Sequence, residues 1–247
     1  EKILTENNAH APFTIRTITK NIKHENYKIA LETADIDYEQ CKTSPLGLII
    51  KGKLRAEELP FYNDGGFIVQ DEAAQLITEL VSEVDKKRML DVCAAPGGKT
   101  CALIDSFLTS PNLVALDIHK KRIDLLKKNL SRLNFSCSIS QADATENGIF
   151  ASESFDLILV DAPCSSSGVI RRHPDIKIKK SMSNLQSTIE IQAKILSNVW
   201  EYLVQGGELI YITCSVFKKE NDQMILKFLK AHHDAELIII REKWGVE

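Results

Sequence analysis

An α/β architecture, a doubly wound and mostly parallel sheet preceded by a small α/β module, follows from three observations in the 247-residue sequence. From residue 67 onward, short apolar runs alternate with stretches of helical spacing, the order that parallel strands with crossover helices require. One run, residues 155–160, is continuously apolar, as a central strand covered on both faces must be. The turn Asp91-Val92-Cys93-Ala94-Ala95-Pro96-Gly97-Gly98-Lys99-Thr100 gathers small residues and two glycines where a strand hands over to a helix. Such turns let a ligand approach the backbone at the carboxyl end of an open α/β sheet.

Taken in order, residues 12–18 predict a strand, 27–31 part of a helix and 46–51 a second strand, which together make a small module over 1–66. The turn-rich Pro60-Phe61-Tyr62-Asn63-Asp64-Gly65-Gly66 marks the junction with a main domain over 67–247. There, 88–93 predicts a strand and a helix opens near Lys99. Residues 112–117 predict a second strand, and 120–133 a helix with Ile123, Leu126, Leu130 and Leu133 at helical spacing. Residues 136–140 predict a weak third strand and 155–160 the fourth. A helix over 186–203, a fifth strand over 207–213, a helix over 221–232 and a sixth strand over 236–240 complete the series. No internal repeat or low-complexity tract interrupts it.

The apolar fraction of 44% is that of a globular chain with a real core. No apolar run has the length to span a bilayer, and the amino terminus lacks the layout of a secretory signal, so a cytoplasmic monomer without membrane contact is expected. The six cysteines, at 41, 93, 101, 137, 164 and 214, form no Cys-x-x-Cys pair and no zinc-ligand spacing. Reduced thiols and no metal are expected. A net charge of -3 argues against gripping nucleic acid through overall basicity. Local runs remain. Lys120-Lys121-Arg122 with Lys127-Lys128 has the pattern of a solvated helix face, whereas Arg171-Arg172-His173 with Lys177, Lys179 and Lys180 directly follows the motif around Cys164.

Cys164, in Asp161-Ala-Pro-Cys-Ser165, and Cys214, in Thr213-Cys-Ser215, each follow a strand-like run. A single free cysteine is most often a small buried hydrophobe, and Cys101 and Cys137 are assigned to the core on that ground. Two thiols at two strand ends can instead face one substrate. A thiolate is a strong nucleophile near neutral pH, and Asp161 adds a proton-handling group three residues before Cys164.

The glycine turn has two ligand candidates. A dinucleotide Gly-x-Gly-x-x-Gly fingerprint is absent. Residues 93–100 nearly match the phosphate loop Gly-x-x-x-x-Gly-Lys-Thr, with Cys93 in the first glycine's place, and the run 157–161 imitates a strand ending in a magnesium-binding aspartate. A nucleotide hydrolase is therefore the rival, weakened by Cys93 and the rigid Pro96. Asp117 closes the second strand about 20 residues past the glycine turn, where an acid bonds ribose hydroxyls in this architecture. With Asp143 after the third strand and Asp161 closing the fourth, the pattern suits a nucleoside joined to an amino acid, S-adenosylmethionine.

Asp91 to Thr100, the segment from Asp161 to Gly168, and Tyr211-Ile-Thr-Cys-Ser215 followed by Glu220-Asn221 resemble the signature motifs of the Sun-type RNA cytosine-5 methyltransferases. The resemblance runs from about residue 7 to the carboxyl terminus and includes Gln70-Asp71-Glu72-Ala73. Residues 169–177 are similar in detail to the bacterial branch that acts on small-subunit ribosomal RNA. The resemblance implies a Rossmann-like catalytic domain, an amino-terminal module accessory to RNA binding, and methylation of cytosine C5 in RNA, with 16S rRNA as the expected partner. It implies Cys214 as the nucleophile that adds to C6, Asp161 as the group holding the cytosine edge, and Cys164 as the helper in C5 proton removal and release of Cys214. Lys99 is expected to favour a neighbouring thiolate. For the cofactor it implies Cys93, Ala94, Ala95, Pro96, Gly97, Gly98 and Lys99 around the methionine part, Asp117 at the ribose, Asp143 at the adenine, and Asp161 shared by both ligands. Arg171, Arg172 and Lys177 are expected at RNA phosphates. An RNA-binding scaffold without catalysis is the second rival.

The sequence departs from the family at Ser166-Ser167, where Gly-Thr or Ala-Thr is usual, and at Ile178, where tryptophan is common. Family members continue past Trp244 into a hairpin strand with an aromatic Gly-Phe-Phe motif, and the bacterial branch carries an amino-terminal helical domain. This chain is therefore expected to lack the last strand of its sheet and that helical domain.

Overall fold

The computed structural model describes residues 2–81, 88–107, 112–179 and 182–240. The amino-terminal part runs α1 (Lys2–Asn8), β1 (Phe13–Thr17), α2 (His24–Thr33), β2 (Tyr38–Gln40), β3 (Gly47–Ile50), β4 (Phe67–Val69) and the short helices α3 (Glu72–Gln75) and α4 (Ile77–Leu80). There follow β5 (Arg88–Val92), α5 (Gly98–Ser106), β6 (Asn112–Asp117), α6 (Lys120–Arg132), β7 (Ser138–Gln141) and β8 (Phe155–Asp161). The described chain closes with α7 (Ile176–Lys179), α8 (Met182–Trp200), β9 (Leu203–Ile212) and α9 (Asp222–Ala231). None of the described helices is long and apolar enough to cross a membrane. Two compact units result, Pro12–Lys87 with Ala94–Gln141, and Glu1–Ala11 with Arg88–Cys93 and Ala142–Ile240.

Within the first unit, β2-β3-β1-β4 form an antiparallel sheet. Ile15, Leu48, Ile50 and Phe67 from its strands pack with Tyr27 and Leu31 of α2 and with Leu59. Phe67–Val69 pairs with β1, so this sheet extends to Val69; three residues are too few to show a period in sequence. Arg16 of β1, a charge facing inward, is tied to α5: its guanidinium lies 2.7 Å from Asp105 Oδ2, with the two side chains 2% and 0% exposed. Asp105 Oδ1 also accepts hydrogen bonds from the Thr19 hydroxyl (3.1 Å) and the Lys20 amide (3.0 Å). In the same unit α6 buries Ile123, Leu126 and Leu130, the stripe its sequence spacing predicts.

The second sheet has five strands in the order β7-β6-β5-β8-β9. Its registered pairs β5/β8, β6/β7 and β8/β9 are parallel. The order reverses about β5, which makes the sheet doubly wound and puts ligand sites beyond the carboxyl ends of the strands. β8 is buried along nearly its whole length, as its unbroken apolar run requires.

Three local expectations change. The helix predicted over 186–203 spans Met182–Trp200, and β9 begins at Leu203, opposite Phe155. An irregularity in the β8/β9 register between Phe155 and Leu157 absorbs the Gly206-Gly207 pair, which made residues before 207 look unlike a strand. The sixth strand predicted over 236–240 is not formed: these residues have no regular structure, and Leu237, Ile238, Ile239 and Ile240 are exposed. Apolar content makes a strand only where a neighbour supplies the ladder, and none of the described strands pairs with this segment. Lys180, Trp244 and the rest of 241–247, on which the missing-strand expectation bears, lie outside the described residues.

Candidate active site

Adjacent strands deliver the two cysteines. Asp161, the last residue of β8, stands opposite Ile212, the last residue of β9, so the chain leaves both strands at one level. Cys164 comes three residues beyond one end and Cys214 two residues beyond the other, and their Sγ atoms are 3.3 Å apart. Cys214 is exposed; Cys164 is half-buried. Contact with the Cys214 sulfur, and then burial, push the Cys164 thiol far above its ordinary range. At this distance either sulfur can donate an S–H bond to the other.

The loops carrying them are bolted together by the backbone and by hydroxyl groups. Gly168 donates its N–H to Cys214 O at 2.8 Å, and the Val216 amide donates to Ser167 Oγ at 3.0 Å. Ser165, Ser167 and Ser215 bring their hydroxyl oxygens to 3.1 Å of one another. Ser166 sits between them at a φ of 59°, a left-handed conformation that costs a non-glycine residue about 1–2 kcal/mol. Beneath this cluster lies Glu220, 0% exposed. Its Oε1 accepts from the Ser165 amide (2.7 Å) and Gln192 Nε2 (3.1 Å), and its Oε2 accepts from the Ser215 hydroxyl. Asn221 fastens the Cys214 loop from its other end, accepting from the Thr213 hydroxyl at 2.6 Å and donating to Ser215 O at 2.9 Å. Tyr211 donates its hydroxyl to Glu220 O at 2.9 Å, and burial, followed by the Cys164 and Glu220 charges, raises its ionisation well above the ordinary phenol range.

The basic residues after Cys164 meet the amino-terminal segment of the same unit. Arg171 Nε donates to Ala9 O at 3.2 Å, with its guanidinium 4.0 Å from a Glu6 carboxylate oxygen. Lys177 Nζ donates to Asn8 Oδ1 at 2.7 Å. Arg172 is half-buried, and Ile178, where the family's tryptophan is usual, is 89% exposed on α7.

In the other unit, Asp117 organises the glycine turn. Its buried side chain accepts from the Ala95 amide through Oδ2 (3.1 Å) and from the His119 amide through Oδ1 (2.9 Å), with Arg122 3.6 Å from Oδ2. Arg122 also donates to Ala95 O, and Asn129 Nδ2 donates to Pro96 O at 2.9 Å. Ala94 and Ala95 are buried, Pro96 follows a cis peptide bond, and Gly97, at a φ of 100°, caps α5 ahead of Gly98 and the part-buried Lys99. A side chain at Gly97 would collide with Leu126 of α6, so this turn needs glycine on two counts. Next to Gly98, buried Gln70 Oε1 has no hydrogen-bond partner, and an acceptor of that kind suits the ammonium of an amino-acid group. Cys93, the residue after β5 and a member of the unit that carries Cys164 and Cys214, has a φ of 60°, a left-handed conformation that favours glycine. Back in the unit of the two cysteines, Asp143 Oδ1 accepts from both the amide and the hydroxyl of Thr145 at 2.8 Å.

A family model for the 16S rRNA methyltransferases RsmB/F matches residues 78–246, and the ferredoxin-like domain of the RsmF/B-like methyltransferases matches residues 1–57. The chain belongs to the RsmB/F family. Ribosomal RNA small subunit methyltransferase B of Pseudomonas syringae pv. tomato is 37% identical over 230 residues, 93% of this chain and 51% of that protein. Its counterpart in Photorhabdus laumondii is 37% identical over 238 residues, 96% of this chain and 55% of that one. The chain thus spans about half the length of the curated relatives it matches. The crystal structure of NSun6 from Pyrococcus horikoshii with SFG shares the fold, with a TM-score of 0.82 at 18% identity over 93% of this chain and 83% of that one. Membership in the RsmB/F family of methyltransferases fits S-adenosylmethionine as cofactor and sets aside the nucleotide hydrolase suggested by residues 93–100.

Sequence reasoning for this RsmB/F chain missed the network under the thiols. Glu220-Asn221 was legible only as part of a motif, and Ser165 to Ser167 only as a variable loop. The available signal was a glutamate six residues past one cysteine and a run of hydroxyls after the other, too sparse to pair without coordinates.

Proposed function

We propose that the chain transfers a methyl group from S-adenosylmethionine to C5 of a cytosine in small-subunit ribosomal RNA through a covalent bond between Cys214 and C6. The observation that carries this is the 3.3 Å approach of an exposed and a half-buried thiol at the ends of neighbouring strands. Cytosine C5 is a poor nucleophile. Addition of the Cys214 thiolate to C6 pushes an electron pair onto C5, which then takes the methyl group, so that one high barrier becomes two lower ones. Asp161 holds the N3/N4 edge and steadies the charge that moves onto the ring. Contact with the Cys214 sulfur is the first cause that raises the Cys164 thiol, so bonding of that sulfur to carbon removes this contact and eases release of the Cys164 proton to solvent. Cys164 then takes the C5 proton, and the bond from C6 to Cys214 breaks to restore the aromatic ring.

The cofactor supplies the electrophilic methyl group. Residues 93–99 surround its methionine part, Lys99 at the start of α5 adds positive charge that favours a thiolate, Asp117 offers remaining acceptor positions to the ribose, Asp143 takes the adenine, and Asp161 serves both ligands. Arg171, Arg172 and Lys177 hold RNA phosphates, with the module over 1–66 as an accessory RNA surface and 67–247 as the catalytic domain. The target base must leave its stack, because C6 is attacked from above the ring plane. The test is methyl transfer from labelled cofactor to 16S rRNA, with the product nucleoside identified by mass spectrometry. Labelled 5-methylcytidine with the parent chain and none with Cys214→Ala is expected. RNA binding without transfer, or transfer that survives Cys214→Ala, would refute the proposal.

A further inference from the structure

We infer that Glu220 is a positioning residue for the thiol pair, its buried carboxylate fixing the loop of Cys164 against the loop of Cys214. The inference rests on the cysteine chemistry proposed above. C5 and C6 are neighbouring ring atoms, so a sulfur that bonds one and a sulfur that takes a proton from the other must stay within a few ångströms of each other. Neither β8 nor β9 can guarantee that, because both cysteines lie beyond the last paired residues, Asp161 and Ile212.

Glu220 reaches the residues that flank each cysteine. The Ser165 amide, one residue past Cys164, donates to Oε1, and the Ser215 hydroxyl, one residue past Cys214, donates to Oε2. Gln192 of α8 donates to Oε1 and also to Pro163 O at 2.9 Å, one residue before Cys164. One carboxylate thus binds both sides of the pair to a long helix. These three donors are a main-chain amide, a side-chain amide and a hydroxyl, all neutral. Removing a carboxylate from water is costly, and neutral donors repay that less well than a cation does. Stability alone therefore gives little reason for a glutamate here. What an ionised acceptor adds is short, directional bonds, and with them a fixed distance between the two loops.

Glu220→Ala and Glu220→Gln test this in the whole chain with two readouts. The first uses neither RNA nor cofactor: diamide takes two electrons and two protons from Cys164 and Cys214 as they close to a disulfide, at a rate set by their approach in the folded protein. The second is methylation kinetics on 16S rRNA. Glu220→Ala should slow both disulfide closure and kcat on the order of 100-fold, with the KM for RNA and the affinity for S-adenosylmethionine within about twofold of the parent. Glutamine keeps the shape and one acceptor oxygen, so Glu220→Gln should recover part of the loss and stand about tenfold below the parent in both. A general loss of packing would lower the melting temperature without slowing closure in the folded fraction. Closure and kcat at parental values in Glu220→Gln, or in a folded Glu220→Ala, would overturn the inference. If the parent closes its disulfide but methylates nothing, the cysteine chemistry fails while the closure rates still decide the role of Glu220.

Discussion

Gly168→Ala is the smallest change that strains the apposition of the two thiols. Gly168 donates its N–H to Cys214 O at 2.8 Å, and a Cβ built on it would stand 2.8 Å from that same oxygen, 3.4 Å from the Cys214 carbonyl carbon and 3.6 Å from Val216 Cγ1. The obstacle is backbone, which cannot swing aside as the end of a side chain can. Restoring an ordinary contact requires the Cys214 main chain to retreat by about 0.5 Å, carrying its sulfur away from Cys164; a misplacement of about 1 Å costs a catalytic step about 100-fold, so a loss near tenfold in kcat is expected. Overpacking of this kind costs about 1–3 kcal/mol of stability, which the chain should survive. Binding of S-adenosylmethionine, followed by calorimetry, should be unchanged, since the atoms nearest the new Cβ belong to Cys214 and Val216, neither of which is assigned to the cofactor. Single-turnover methylation of 16S rRNA with the chain in excess isolates the rate. A Gly168→Ala variant with parental single-turnover rate would refute the claim that the Cys214 main chain is fixed by this contact.

Arg16→Met leaves Asp105 buried without its cation, and breaking such a pair typically costs about 3–5 kcal/mol; urea unfolding should show that loss, and a change below about 1 kcal/mol would contradict it. Iodoacetamide should label Cys214 first at pH 8, because the raised ionisation of Cys164 leaves it a smaller thiolate fraction. The first cause of that rise is Cys214 itself, so in Cys214→Ala the Cys164 labelling curve should move to lower pH; peptide mass spectrometry reads both, and an unmoved curve would count against the coupling. Neutralising Arg171, Arg172 and Lys177 should weaken RNA binding and flatten its dependence on salt while leaving cofactor affinity alone, and an unchanged slope would remove them from the RNA surface.

The parallel-sheet half of the fold is legible in the sequence because its signals are local. The apolar run of β8 needed no partner to be recognised, the stripe Ile123, Leu126 and Leu130 marked α6, and the glycine turn announced the start of α5. Strands predicted over 155–160 and 207–213 put Cys164 and Cys214 just past two strand ends, and the structure ends those strands at Asp161 and Ile212. Long-range information was not legible. The 236–240 segment has strand composition but no ladder partner among the described strands, and three-residue β4 takes its identity from pairing with β1. Glu220 gathers donors from sequence positions 28 and 55 residues away, which no spacing rule anticipates. Asp117 shows a further limit. An acid at that position was expected at a ribose, and the structure shows it also holding the Ala95 and His119 amides, so one carboxylate shapes the turn as well as facing the ligand site proposed there.

Trapping the RNA–protein bond tests the central claim most directly. With 16S rRNA and S-adenosylmethionine, Cys164→Ala should accumulate a covalent adduct on Cys214, visible as a slow band in denaturing gels and mapped by peptide mass spectrometry, while Cys214→Ala should form none. An adduct mapped to Cys164, or steady turnover by Cys164→Ala with no adduct at all, would contradict the assignment of the two sulfurs.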